Sequence, residues 1–358
     1  MNTEILACFP QWANYAPAFK YLCEKGFDVK YLMPPPITRR TLELGSKYSP
    51  DYVCVPFKYC LGCYLEVLEK GANCLMQIFG NCRLNFYGEL AERILRDMGY
   101  DFAFFNMADI DFTSPKSIFE HFRIINPKMT LVHVLPAWRT TYRMIEMIDE
   151  FEDYLRRNVG FEINEGELDG VYRGFLKKCE EVPSHKELKK IYKEYRERLH
   201  AVKTNKPART VKVGMIGDFY TAQEPFSNYF MEREFAKFGM EIFRSMNVSN
   251  TLVHNRYKDR LRYGKKYAKY YIGGTSNFSV AEALEFANAG VDGIIQVKSF
   301  GCTPEIDAIP ILQNISRDYN IPILHFSFDS QTGEAGIKTR LEAFYDMVEA
   351  RKHKDDKK

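Results

Sequence analysis

Cysteine is the residue type in this sequence most able to do chemistry. There are nine: Cys8, Cys23, Cys54, Cys60, Cys63, Cys74, Cys82, Cys179 and Cys302. Five of them fall between Cys54 and Cys82. The count is odd and the chain has 358 residues, so a disulfide framework of the kind that staples small secreted domains explains it poorly. Clustered thiols in a reducing compartment point instead to metal or redox chemistry. A zinc knuckle needs two close Cys-x-x-Cys pairs, or one such pair with two histidines. Here a single pair, Cys60-Leu61-Gly62-Cys63, has no match. An iron–sulfur cluster needs thiolate ligands, and Cys54, Cys82 and Cys302 each fall near the end of a predicted strand or in the loop after it. Pro56, Gly62, Gly80, Gly301 and Pro304 would let backbone approach a bulky inorganic core. On spacing alone these three cysteines stand open between joint ligands and packing, as do Cys60 and Cys63. Cys8, Cys23, Cys74 and Cys179 read as small core residues.

The elements that must position these thiols follow from periodicity and breakers. Glu4–Phe9 opens a short apolar stretch, Tyr15–Lys25 reads as helix and Phe27–Met33 as strand, the start of a parallel α/β layer. Pro34–Pro36 then breaks the pattern and leads into a loop. Asp51–Val55 reads as strand, Tyr64–Lys70 as helix, Cys74–Phe79 as strand, Phe86–Met98 as helix and Phe102–Asn106 as strand. Pro136–Asn158 and Val171–Lys203 carry long charged helical patterns without strands. A second α/β unit begins at Val211–Gly217. It continues through helix Phe226–Phe238, strand Glu241–Arg244, helix Val280–Ala289, strand Gly293–Val297, helix Ile306–Tyr319, strand Ile321–Phe326 and helix Ile337–Arg351. The expected architecture is α/β. It has two doubly wound flavodoxin-like lobes, at 1–135 and 209–350, a helical bridge at 136–208 and a basic tail at 351–358, with a cluster site at the lobe junction. Ligands in such sheets sit outside the carboxyl ends of the strands.

Composition narrows the function. Hydrophobic residues make up 46% and charged residues 27%, which fits a globular chain rather than a disordered one. The net charge of +3 is carried by the tail Arg351–Lys358, five basic against two acidic residues. A neutral body gives no reason to expect nucleic acid or an anionic membrane as partner. No apolar run reaches the ~20 residues of a membrane span, and the N-terminus does not read as a signal peptide, so the expected location is cytoplasmic. The segment Lys177–Lys212 holds twelve basic and five acidic residues, and Arg256–Lys269 holds seven basic residues against Asp259; each reads as a solvated surface or a docking face. Gly273-Gly274-Thr275-Ser276 is a turn with an N-cap that could also take an anion. There is no phosphate-binding loop of the Gly-x4-Gly-Lys-Ser/Thr type and no Gly-x-Gly-x-x-Gly after a strand, so the isolated chain is not expected to hydrolyse ATP.

Four stretches resemble the 2-hydroxyacyl-CoA dehydratase superfamily, and within it the activase-associated branch known as CoA protein activase. They are Cys54-Val55-Pro56-Phe57-Lys58; Gly80-Asn81-Cys82-Arg83 followed by Tyr87; Phe300-Gly301-Cys302-Thr303-Pro304-Glu305; and Asp329–Gly336 followed by Thr339-Arg340-Leu341-Glu342-Ala343-Phe344. The resemblance implies a [4Fe-4S] cluster on Cys54, Cys82 and Cys302, with Cys60, Cys63 and Cys74 leaving room for a fourth ligand or a double-cubane cluster. It implies low-potential electrons from an ATPase activase of the actin/sugar-kinase/Hsp70 type, an acyl-CoA ligand, and a homodimer or heterodimer. Lys58 and Arg83, close after cluster cysteines, would stabilise a reduced, more negative centre. Arg340 is a candidate anchor for a carboxylate. Lys58, Arg83 and Arg340 are the candidates for a catalytic role. The activity implied is that of an iron–sulfur reductase or dehydratase-like lyase; the competing readings are a zinc-bound structural or assembly protein and a metal-free α/β binding protein.

Overall fold

The computed structural model describes residues 4–77, 82–106, 119–121, 123, 125–253 and 257–355. The chain divides into two compact units, one formed by 1–148 with 175–192 and the other by 149–174 with 193–358. The long helices of the middle contribute residues to both units.

In the first unit, four short parallel strands run β1 (Leu6–Cys8), β2 (Lys30–Tyr31), β3 (Cys74–Gln77) and β4 (Ala103–Asn106). Their order across the sheet is β2-β1-β3-β4, with Cys8 opposite Leu75 and Cys74 opposite both Ala7 and Ala103. Parallel neighbours need crossover helices. These include α1 (Ala16–Tyr21), which continues as a π-turn over Leu22–Gly26, α2 (Arg39–Tyr48), α3 (Val55–Glu69) and α4 (Leu84–Asp97). The core gathers Ala7, Phe9, Cys23, Phe27, Cys74, Met76 and Phe105. Each fully buried Phe in such a core stabilises by roughly 1.5–3 kcal/mol.

Two local expectations change here. Residues 51–55 form no strand: α3 starts at Val55 and carries the chain to Glu69. A four- or five-residue apolar run does not distinguish a buried helix start from a strand, and Pro56, in the first turn, suits a helix because its missing N–H would have no partner there anyway. The loop after Pro36 also contains a helix, α2, capped by Thr38, which accepts from the N–H of Thr41 while the Thr41 side chain accepts from Thr38 N–H. Thr41 here takes the N3 place that Glu or Gln fills in the usual capping box. Helices α2 and α3 touch backbone to backbone. A Cβ on Gly45 would lie 1.7 Å from the Lys58 carbonyl oxygen, and one on Gly62 would lie 1.9 Å from that of Thr41. Gly62 thus serves this helix contact. Gly45→Ala should cost about 3 kcal/mol by overpacking, read as a lower denaturation midpoint in urea; an unchanged midpoint would contradict the contact.

The second unit repeats the layout. Strands β5 (Val211–Gly217), β6 (Met240–Phe243), β7 (Gly293–Ser299) and β8 (Ile323–Phe328) lie in the order β6-β5-β7-β8, all parallel. Relative to its own first strand this is the 2-1-3-4 order of the first sheet, and its reversal point lies between β5 and β7. Helices cover both faces. Helix α8 (Met231–Lys237) and helix α12 (Glu334–Asp355) supply Met231, Phe235, Leu341 and Phe344 to one core. Helices α10 (Ser276–Asn288) and α11 (Thr303–Asp318) supply Val280, Leu284, Ala308 and Leu312 to the other. Between the two sheets in sequence run α5 (Leu131–Asn158), α6 (Glu167–Cys179) and α7 (His185–Ala201). The basic run after residue 256 includes a further helix, α9 (Tyr257–Gly264). Among the described residues no helix is long and apolar enough to cross a membrane.

Candidate functional site

The three motif cysteines share one local setting: each lies at or just before the start of a helix. Cys54 is the residue that caps α3, half-buried and extended at φ −67, ψ 150. Cys82 is exposed, two residues before α4, and its carbonyl accepts from Asn85 N–H at 3.1 Å. Cys302 caps α11 and is half-buried, its N–H donating to Ser299 O at 3.0 Å. The first turn of a helix presents N–H groups without intrahelical partners and a partial positive charge. Cys54 is therefore fixed by a helix cap and not by a strand end. Cys82 follows β3, and Gly80 and Asn81 of its motif lie outside the described residues. Cys302 follows β7 as expected.

Tyr87 ties the two N-terminal motifs together. It lies on the first turn and a half of α4, packs its ring edge-on against Phe57 at 4.9 Å, and its hydroxyl bonds to Cys54. Burial, and then the Cys54 sulfur, hold the phenol well above its usual range. Arg83 caps α4 and is exposed, and Lys58 is half-buried on α3.

Most of the remaining thiols of the first unit are buried, Cys8, Cys23, Cys63 and Cys74 among them. Burial pushes the Cys8 and Cys23 thiols well up and Cys74 to about 11, so without a metal they stay protonated and pack as small apolar groups. Cys63 Sγ accepts from Gln11 N–H at 3.3 Å, whereas Cys60, also on α3, is half-buried. Among the described residues no three His, Cys, Asp or Glu side chains gather into one metal-holding group. Cys54 and Cys82 belong to the first unit and Cys302 to the second. The donor chemistry suits an iron–sulfur cluster: thiols at helix starts, with backbone N–H groups to bond inorganic sulfide.

Behind Cys302 the second unit holds a polar network that periodicity did not reveal. Glu305, three residues on and fully buried, accepts from Ser276 Oγ at 3.0 Å, Ser279 Oγ at 2.9 Å and Gln296 Nε2 at 2.7 Å. Gln296 Oε1 lies 2.7 Å from His325 Nδ1. Asp218, just after β5, accepts from Thr221 N–H at 2.8 Å and Ser299 N–H at 2.6 Å, clamping the reversal point between β5 and β7. Lys298 is buried on β7; burial pulls its ammonium down, and Cys302, Glu305 and Asp218 oppose that. The available signal was a lone lysine and a glutamine inside an otherwise apolar strand. Ser276 and Ser279 also account for the Gly273–Ser276 segment: Thr275 caps α10, and the serine hydroxyls reach Glu305.

Burial raises Glu305 from 4.5 to about 7, against the hydrogen bonds from Gln296 and the serines. The folded state therefore binds this proton more tightly than the unfolded chain does. Its contribution is full below about pH 4.5, falls as pH rises and is lost above about 7, a difference of about 3 kcal/mol. Urea unfolding across pH 4.5–8 should show wild type losing stability relative to Glu305→Gln over that window; parallel curves would contradict it.

Arg340, on α12, is exposed; it donates through Nη2 to His325 O at 2.7 Å and lies 4.5 Å over the Phe326 ring. The turn before it is closed by Asp329, whose Oδ1 accepts from Gln331 N–H at 2.8 Å and Thr332 Oγ1 at 2.9 Å. This motif thus builds the entry to the last helix and pins it to β8.

Comparison with known proteins fits this half of the molecule. The family model of the 2-hydroxyglutaryl-CoA dehydratase D-component matches residues 171–348. The match takes in Cys302 and its network, and it supports the 2-hydroxyacyl-CoA dehydratase superfamily. No curated protein matches the chain.

Proposed function

We propose that the protein is an iron–sulfur redox component of the 2-hydroxyacyl-CoA dehydratase type, of the activase-associated branch. It would accept low-potential electrons from a partner ATPase and pass them to an acyl-CoA thioester or another acceptor. The observation that carries this reading is the shared placement of Cys54, Cys82 and Cys302 at helix starts, with Cys302 inside the segment that matches the dehydratase component family.

Cys54, Cys82 and Cys302 would hold a [4Fe-4S] cluster, with Cys60 the better placed of the additional thiols and Cys63 the more enclosed. Such a cluster supplies one-electron transfer at low potential, which no ordinary side chain can do. The chain's own groups then set its surroundings. Backbone N–H groups at the helix starts favour negative sulfur. Tyr87 holds Cys54 in place, and Arg83 and Lys58 add positive charge on the first unit, as the buried Lys298 does near Cys302. Positive charge close to a centre favours its more negative, reduced state.

The competing zinc protein shares the thiols but not the redox chemistry. Anaerobic purification with metal and acid-labile sulfide analysis separates them. Iron with matching sulfide in a brown protein is the expected result; stoichiometric zinc without sulfide would replace this reading with the structural one.

A further inference from the structure

Helix α5 carries a second constellation of chemistry-bearing residues, all in the first unit and outside the four motif stretches. Leu135, Trp138, Arg139, Tyr142, Arg143 and Glu146 recur at spacings of three and four, so they share one face of the helix. Helix α7 adds His185 and Lys189, one turn apart. Together these eight side chains line an open depression of about 450 Å³, with Leu135, Arg139 and Lys189 exposed at its rim.

The charge in this cavity is unbalanced. Arg143 pairs with Glu146 at 2.9 Å, while among the described residues neither Arg139 nor Lys189 has a carboxylate partner. His185 Nδ1 sits 3.4 Å from Thr140 Oγ1. Its imidazolium is disfavoured by burial first, then by Lys189, Arg139 and Arg143, which reports a positive field from both helices. The aromatic side is equally defined: Trp138 and Tyr142 meet edge-on at 5.4 Å, and Arg143 lies 5.8 Å over the Tyr192 ring. Guanidinium groups recognise phosphate oxygens with forked donors, and an indole beside them offers a face on which a planar base can stack.

We infer that this cavity between α5 and α7 is a binding site for a nucleotide, with Arg139, Arg143 and Lys189 taking its phosphates and Trp138 its base. The chemistry is shared by a free adenine nucleotide and by the nucleotide end of coenzyme A. The inference stands independently of the cluster, because no residue in it belongs to the thiol motifs and binding needs no metal.

Trp138 supplies its own reporter. The chain has two tryptophans, and the other, Trp12, is buried. Emission of wild type minus that of Trp138→Phe isolates the cavity signal. The full chain is titrated with ADP, coenzyme A and inorganic pyrophosphate. ADP or coenzyme A should give a saturable change in the Trp138 signal, pyrophosphate should compete with it more weakly, and Arg139→Glu/Lys189→Glu should weaken binding at least about tenfold with an unchanged circular dichroism spectrum. Equal affinity for ADP and coenzyme A identifies a free-nucleotide site; saturation by coenzyme A alone identifies its nucleotide end as the occupant. No saturable change with either, binding untouched by the double charge reversal, or pyrophosphate binding as tightly as both nucleotides would overturn the inference. Since the titration needs no iron, its failure leaves the redox reading standing, and the loss of that reading leaves this site standing.

Discussion

Alanine at Cys54, at Cys82 or at Cys302 is expected to reduce the iron bound after anaerobic reconstitution from about four atoms per cluster to a small residue, with the fold intact. The three thiols sit at helix starts, half-buried or exposed, so their removal creates little cavity. For Cys82 the cost should stay within about 0.5 kcal/mol. Cys23→Ala should do the reverse. Its side chain is fully enclosed in the first core, with Sγ 3.9 Å from Met76 Sδ, so it should keep its iron and lose about 1–2 kcal/mol of stability. Iron analysis beside urea unfolding reads both halves of this contrast. Full iron in Cys82→Ala, with loss of iron in Cys23→Ala, would move the centre into the core thiols and contradict the assignment.

Gly217→Ala is expected to be the most damaging single methyl group in the second unit. Gly217 ends β5 at φ +149, a backbone conformation that L-residues rarely adopt. A Cβ there would lie 1.8 Å from the Val297 carbonyl oxygen of β7. Backbone strain and overpacking together should cost about 4 kcal/mol, a large part of the stability of an ordinary domain. The damage falls where it matters. The next residue, Asp218, clamps Ser299 N–H, and Ser279 Oγ donates to Gly217 O at 3.1 Å, so the mouth of β7 that leads to Cys302 depends on this close approach. A midpoint of denaturation equal to wild type would show that the strands can part without cost.

Much of the fold was legible because its signals were local and repeated. Val211–Gly217 and Gly293–Ser299 are mostly apolar runs, as parallel strands buried on both faces tend to be, and glycines such as Gly99, Gly239 and Gly290 marked where several crossover helices stop. The first unit was harder to read. Its strands have two to four residues, too short for a period to show, and the apolar run before Pro56 belonged to a helix start. Helix α2 was hidden because Arg39, Arg40 and Glu43 face solvent and only Thr38 marks its beginning. The candidate thiols were visible from residue type alone. The network behind Cys302 was not, because Glu305, Gln296, Ser276 and His325 come from four separate elements and meet only through the packing of α10 and α11 on β7 and β8.

The proposed function requires a reducible centre that acts on a thioester. Electron paramagnetic resonance of the anaerobically reconstituted, dithionite-reduced protein, before and after addition of acyl-CoA thioesters, tests that directly. The account predicts an iron–sulfur signal in wild type that is lost in Cys302→Ala, and a change in that signal when a thioester is added. A protein that reconstitutes with no iron–sulfur signal would contradict the redox centre itself, and a signal indifferent to every thioester would contradict action on a thioester.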